Sequence, residues 1–170
     1  MAFDDIDALE GDDDENLQNT YLIFYVAGEE YAVHVSHVTE IVRIQRVFPV
    51  PDMPGYIRGV INLRGRVVPL LDVRTRFGLP QGDGGERAVV IVIEHEDATT
   101  GLVVDAVHEV TELPPATIEA RSLTHGPRDS SAVITGMARR GDRVSFVLDV
   151  AALVTARARA PQPQFNTASP

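Results

Sequence analysis

A chain of 170 residues, 44% of them apolar, is long enough to bury a substantial core, and its formal charge of −10 disfavours nucleic acid as a partner. It has no cysteine and no lysine, its fifteen basic residues all being arginine, so disulfide and thiolate chemistry, Schiff-base catalysis and the lysine of a phosphate loop are all excluded. No apolar run reaches the roughly eighteen residues of a membrane span, and the acidic start lacks a basic-then-apolar signal pattern; we expect a cytoplasmic protein with no direct membrane insertion.

Residues 1–19 hold eight carboxylates and no arginine, a charge of −8 that leaves only −2 for the remainder. So many like charges with so little apolar surface predict a disordered acidic tail. "TYLIFYV" from Thr20 and "EEYAVHV" from Glu29 read as strands, rich in β-branched and aromatic residues. "SHVTEIVR" reads as a short helix with Ser36 as its N-cap. "GVINL" and "RVVPLLDV" are strands around the turn Arg64-Gly65, and "DVRTRFGL" is a helix capped by Asp72 and stopped at Gly78. "QGDGG", 81–85, is a mobile loop between modules, since neither a preceding strand nor a following Lys-Ser/Thr makes it a phosphate loop. "RAVVIVIE", "TGLVVDAV", "AVITGMA" and "RVSFVLDV" continue the strands, with "EHED", 94–97, as a hairpin tip. "DVAALVTARA" is a helix capped by Asp149, and 159–170 is a second disordered tail. Short strands at this spacing predict a mostly all-β architecture, a barrel or a sandwich, with the ordered domain at 20–158.

The chain repeats itself. Displaced by 77 positions, Gly59–Val73 falls on Gly136–Val150 without a gap, matching Gly59 to Gly136, Arg66 to Arg143 and Asp72 to Asp149. Displaced by 72, Val38-Thr39-Glu40-Ile41 falls on Val110-Thr111-Glu112-Leu113. Two matches in the same order predict two small, similar barrels packed against each other and sharing a central apolar layer, with a groove where they meet.

Catalytic chemistry finds little support. His34 and His37 are three apart, which on a strand places them on opposite faces, and no third ligand stands at a convincing spacing, so no metal is expected. Gly-x-Ser-x-Gly is absent. Arg58, Arg64, Arg66, Arg74 and Arg76 cluster, but without interleaved aromatics they suit acidic side chains better than phosphates. Arg64 has two readings: the exposed tip of a hairpin whose Gly65 supplies the positive φ, with no special partner, or a guanidinium holding a carboxylate, with Glu40 the candidate. Arg140 and Glu112 are expected to be the second barrel's counterparts of Arg64 and Glu40. Gly59 marks a bulge or a close backbone approach, and Val38, Ile41, Val60, Val104 and Val107 are candidates for the groove floor.

"GVINLRGRVVPLLDV" closely resembles the hallmark segment of the CheW family of chemotaxis coupling proteins, and the resemblance runs through "FYVAGEEYAVHVSHVTEI", "VVIVIE", "TGLVVDAVHEV" and "GDRVSFVLDV". It implies two pseudo-symmetric five-stranded SH3-like β-barrels with short corner helices and a C-terminal helix. It also implies a non-catalytic scaffold without cofactor that joins the cytoplasmic tips of methyl-accepting chemoreceptors to the regulatory domain of the histidine kinase CheA in membrane-associated arrays. Val38, Glu40, Gly59 and Arg64 match positions implicated in receptor coupling there; Ile41, Val60, Val104 and Val107 would complete the receptor-facing surface. The alternatives are an adaptor of the same family in another receptor–kinase pathway such as surface motility, and a small-ligand or metal-binding double barrel using His34 and His37.

Overall fold

The computed structural model describes residues 17–79, 88–120 and 133–159; most of the acidic segment, the 81–85 loop and the C-terminal segment from 160 lie outside the described residues. Residues 17–19, assigned to the tail by their sequence, are part of the fold. Leu17 packs on the core, the Gln18 carbonyl meets His34 Nε2 at 2.7 Å, and the Asn19 carbonyl accepts from the Leu113 amide at 2.8 Å.

Among the described residues, eleven strands and two α-helices follow in order: β1 (Thr20–Val26), β2 (Glu29–His34), β3 (Val38–Arg43), β4 (Ile57–Leu63), β5 (Arg66–Asp72), α1 (Val73–Arg76), β6 (Val89–His95), β7 (Ala98–Val104), β8 (Ala106–Glu112), β9 (Ile118–Ala120), β10 (Ile134–Arg140), β11 (Arg143–Leu148) and α2 (Val150–Arg159). Both expected caps form: Asp72 accepts from the amides of Arg74 and Thr75, and Asp149 accepts from that of Ala152. The helix expected at Ser36 does not form. Val35–His37 is one 3-10 turn, His34 Nδ1 caps the Ser36 amide at 3.1 Å, and "VTEIVR" is strand β3, because its β-branched residues pair with the apolar run Val89–Ile93 of β6. "TGLVVDAV" is not one strand but two, broken at Asp105 where the chain leaves one sheet for the other, and β9 went unread because it is only three residues long.

The strands form a five-stranded sheet in the order β3-β6-β7-β5-β4 and a six-stranded sheet in the order β8-β1-β2-β11-β10-β9. These are two SH3-like barrels built on one plan: an edge strand, a hairpin antiparallel to it, then a parallel step to a second hairpin. The plan exposes the true repeat, which is hairpin, edge strand, hairpin, helix, running over 20–76 and again over 89–159. The leading hairpins are exchanged: β1–β2 completes the barrel made by the second repeat, and β6–β7 completes the barrel made by the first.

Alternation along β1 and β6 builds three apolar layers. Ile23 points into the second barrel with Ala32, Leu113, Ala138 and Val147, and Val90 and Val92 point into the first with Ile61, Leu63 and Leu70. Leu22, Phe24 and Val26 meet Val89, Ile91 and Ile93 in the central layer between them. Strands buried on both faces read as unbroken apolar runs, which is why "VVIVI" shows no period of two.

Candidate interaction surface

The β4–β5 hairpin turns in two residues, Arg64 and Gly65, with φ of +54° and +86°. Such a turn matches the right-handed twist of the strands and favours Asn-Gly, yet here its first position carries an arginine in a left-handed conformation that L side chains resist. The guanidinium reaches back to β3, donating from Nη1 to Glu40 Oε2 at 2.7 Å and from Nη2 to Oε1 at 2.5 Å. Arg64 is the tip of the hairpin, 71% exposed, but not a tip without a partner: it grips a carboxylate that is only 27% exposed, the one expected for it. Since β3 and β4 are the two edges of the first sheet, the pair spans the gap at which that barrel closes. The Arg64 guanidinium holds the Glu40 carboxyl below the usual carboxylate range, against the opposing push of partial burial.

The second barrel carries a counterpart, with a different partner from the one expected. Counting through the hairpins, Val92 opposite Glu40 corresponds to Ile23 opposite Glu109, so the register is Val38-Thr39-Glu40-Ile41 on Val107-His108-Glu109-Val110. The displacement is 69, not 72, and Glu112 lies three residues past the equivalent place. Arg140 donates from Nη1 to Glu109 at 2.9 Å, from the last position of β10 and not from the turn, where Gly141 stands in the place of Arg64. Arg140 also reaches Glu30, as does Arg143, and the Ser145 hydroxyl donates to Glu30 at 2.7 Å. Burial pushes Glu30 up, but the hydrogen bonds from Ser145 and Arg143 and the two positive charges outweigh it and leave the carboxyl below its ordinary value. In the first barrel the same two positions hold Arg66 and Thr99, joined by a neutral-acceptor bond of 2.8 Å. The Arg66–Arg143 match is thus structural, and Glu30 is a hub that sequence reading missed, its partners lying more than a hundred residues away.

Gly59 is buried with φ +143°, at a bulge in β4, and a β-carbon there would stand 2.4 Å from the Phe48 carbonyl oxygen. The chain from β3 wraps over this place, where Phe48 and Val60 exchange backbone hydrogen bonds of 2.8 and 2.9 Å. Gly136 does the same for β9, its missing β-carbon leaving room for the Glu119 carbonyl. The space left by the missing β-carbon at Gly59 is therefore already filled by this chain's own backbone.

The expected groove floor divides. Val104, 1% exposed, and Val38 are sealed in the central layer, whereas Ile41 and Val107 are half-buried against that layer from the edge strands β3 and β8. Val60 lies half-buried on the outside of the first barrel beside Pro69. At the junction, Asp105 accepts from the Ala27 amide at 2.8 Å and from Arg74 Nε and Nη2, tying the second barrel's hairpin to α1. Burial raises the Asp105 carboxyl, and its bonds to Arg74 and Ala27 bring it below the ordinary value. His34 spends one ring nitrogen on the Gln18 carbonyl and the other on Ser36, and the His37 ring faces His95 instead, so the two do not converge.

The sequence pattern of the CheW-like domain family matches residues 20–158. The chain is 33% identical to the chemotaxis protein CheW of Bacillus subtilis, covering 78% of this chain and 85% of that one, and 31% identical to the chemotaxis protein CheW of Klebsiella aerogenes, covering 83% and 84%. The crystal structure of the scaffolding protein TtCheW from Thermoanaerobacter tengcongensis superposes with a TM-score of 0.73 at 29% identity, over 79% of this chain and 86% of that one.

Proposed function

The chain belongs to the CheW-like domain family, and from that premise we propose that it is a non-catalytic chemotaxis scaffold coupling chemoreceptor cytoplasmic tips to the regulatory domain of the histidine kinase CheA. Arg64 and Glu40 form the receptor-facing corner, with Ile41 and Val107 offering apolar surface along the two edge strands. The observation that carries this reading is the residue at the first position of the β4–β5 turn. Asn would suit its φ of +54°, and Arg there is strained unless its head group has a task. Bidentate pairing fixes the guanidinium plane and leaves most of it exposed, a preorganised polar knob on which a partner can land without losing side-chain entropy of its own making.

The test is titration of the purified chain against a receptor cytoplasmic fragment and against a CheA regulatory domain, repeated with Arg64→Asn. This substitution relaxes the turn while losing the largely exposed ion pair to Glu40, two small effects of opposite sign, so the melting temperature should change little. We expect the wild type to bind both, and the variant to bind the receptor fragment roughly tenfold or more weakly while keeping the kinase domain. A wild type that binds neither overturns the coupling role; a variant that binds both as before overturns the place given to Arg64.

A further inference from the structure

The first barrel carries an apolar strip on its outer face. Phe48 pairs with Val60, Val60 pairs with Pro69, and Val67 lies two residues along from Pro69 on the same strand, so all four side chains share one face across three chain segments. Val67 is 68% exposed and Phe48 42%, and the chain runs on from Phe48 into the exposed Val50 and Met53. The strip has a cation beside it, and the segment that carries it is net positive. The Arg46 guanidinium lies 4.9 Å from the centre of the Phe48 ring, and over 38–79 seven arginines face three carboxylates. Segment 1–16 has the complementary chemistry: eight carboxylates, no base, and Phe3, Ile6 and Leu9 recurring every third residue between them. From Leu17, where the described chain begins, sixteen residues reach about 50 Å when extended, farther than the width of a domain of this size.

We propose that the acidic N-terminal segment of this chain docks on its own first barrel, seating Phe3, Ile6 and Leu9 on the Phe48–Val60–Val67 strip with its carboxylates toward Arg46 and the neighbouring arginines. The segment then acts as a tethered occupant that any partner of this face must displace. Apolar anchors give such an interaction its hold, and opposite charges give it direction and make it sensitive to salt. The proposal does not depend on which partner the scaffold serves.

The chain has no native cysteine, so Ala8→Cys in the full-length protein provides a single attachment point for a spin label. Amide resonances of residues 46–48, 60, 67 and 68 should be selectively broadened. The broadening should be lost in about 1 M salt, where the screening length falls to about 3 Å, and lost when Phe3, Ile6 and Leu9 are changed together to Ser with every charge kept. Val67→Glu, at an exposed position that leaves the melting temperature unchanged, should also remove it. Absence of selective broadening, or broadening centred on another surface, overturns the proposal. So does broadening seen only when spin-labelled chains are mixed with separate isotope-labelled ones, since the occupant would then be a second copy.

Discussion

Gly59→Ala should destabilise the first barrel far more than Gly65→Ala, although both glycines belong to the same hairpin. At Gly65, φ is +86° and no atom lies within 4 Å of the added β-carbon, so the cost is conformational, about 1 kcal/mol. At Gly59, φ is +143° and the β-carbon would meet the Phe48 carbonyl oxygen at 2.4 Å, well inside the 3.0–3.4 Å that real contacts only just tolerate. That neighbour is backbone and cannot swing away, so the wrapped segment must lift. Lifting it breaks the two Phe48–Val60 hydrogen bonds, each worth about 1 kcal/mol net. With about 1–2 kcal/mol for the backbone conformation, the sum is about 3–4 kcal/mol. For a domain of this length that corresponds to a fall in Tm of roughly 10 °C, against roughly 3 °C for Gly65→Ala. Thermal melts and urea titrations of the two variants side by side measure the difference. Melting temperatures within about 2 °C of each other would refute the view that Gly59 exists to let the chain pass over β4.

Gly136→Ala meets the Glu119 carbonyl at 2.7 Å but carries no positive φ, so we expect an intermediate loss of about 2 kcal/mol in the same urea titration. Glu30→Ala should cost about 3 kcal/mol, because it leaves the fully buried Ser145 hydroxyl without its acceptor and takes from the half-buried Arg140 one of its two carboxylates, Glu109 remaining. Adding Ser145→Ala should then recover about 1 kcal/mol, read from a double-mutant cycle. Glu30, Glu40 and Asp105 all have folded-state pKa values below their ordinary ones, so each adds stability that is complete above the unfolded-state range, near pH 4, and disappears as acid protonates the folded form. The urea midpoint should therefore fall steadily as pH drops from about 5 toward about 2, and fall less steeply in Glu30→Gln.

Much of this was legible in the chain because it was written locally. Asp72 and Asp149 announce helix starts through the chemistry of a cap, the Arg64-Gly65 turn is a two-residue signal, and the Gly59–Val73 stretch recurs with its glycine, arginine and aspartate in place. The Glu40–Arg64 pair could be inferred because only one strand, β4, lies between the element that carries Glu40 and the turn that carries Arg64. Where reading failed, the deciding contact was remote. "SHVTEIVR" looks helical until β6, some fifty residues on, offers it a ladder. The displacement of 72 arose because "VTEI" matches "VTEL" by letter, whereas the pairing of β1 with β8 places Glu40 on Glu109. Glu30 carries no local mark, since its role comes from arginines and a serine at the other end of the chain. Gly59 was correctly read as a close approach, but the sequence did not show that the approaching backbone is its own.

The exchange of hairpins also sets the order in which the protein can be completed as it is made. The first barrel is contiguous, closing once residue 104 has been synthesised. The second is wrapped around it: β1 and β2 emerge first, yet the strand that β2 lies parallel to is β11, whose last residue is Leu148. For most of synthesis the hairpin holds Ile23 and Ala32 toward a barrel interior that does not yet exist, and it presents an unpaired edge along β2. Pairings so distant in sequence are slow to form, and such edges invite the wrong neighbour. Glu30, near the start of β2, puts a carboxylate on that edge, the kind of charge that disfavours pairing with a stray strand, and in the finished fold Arg140, Arg143 and Ser145 surround it.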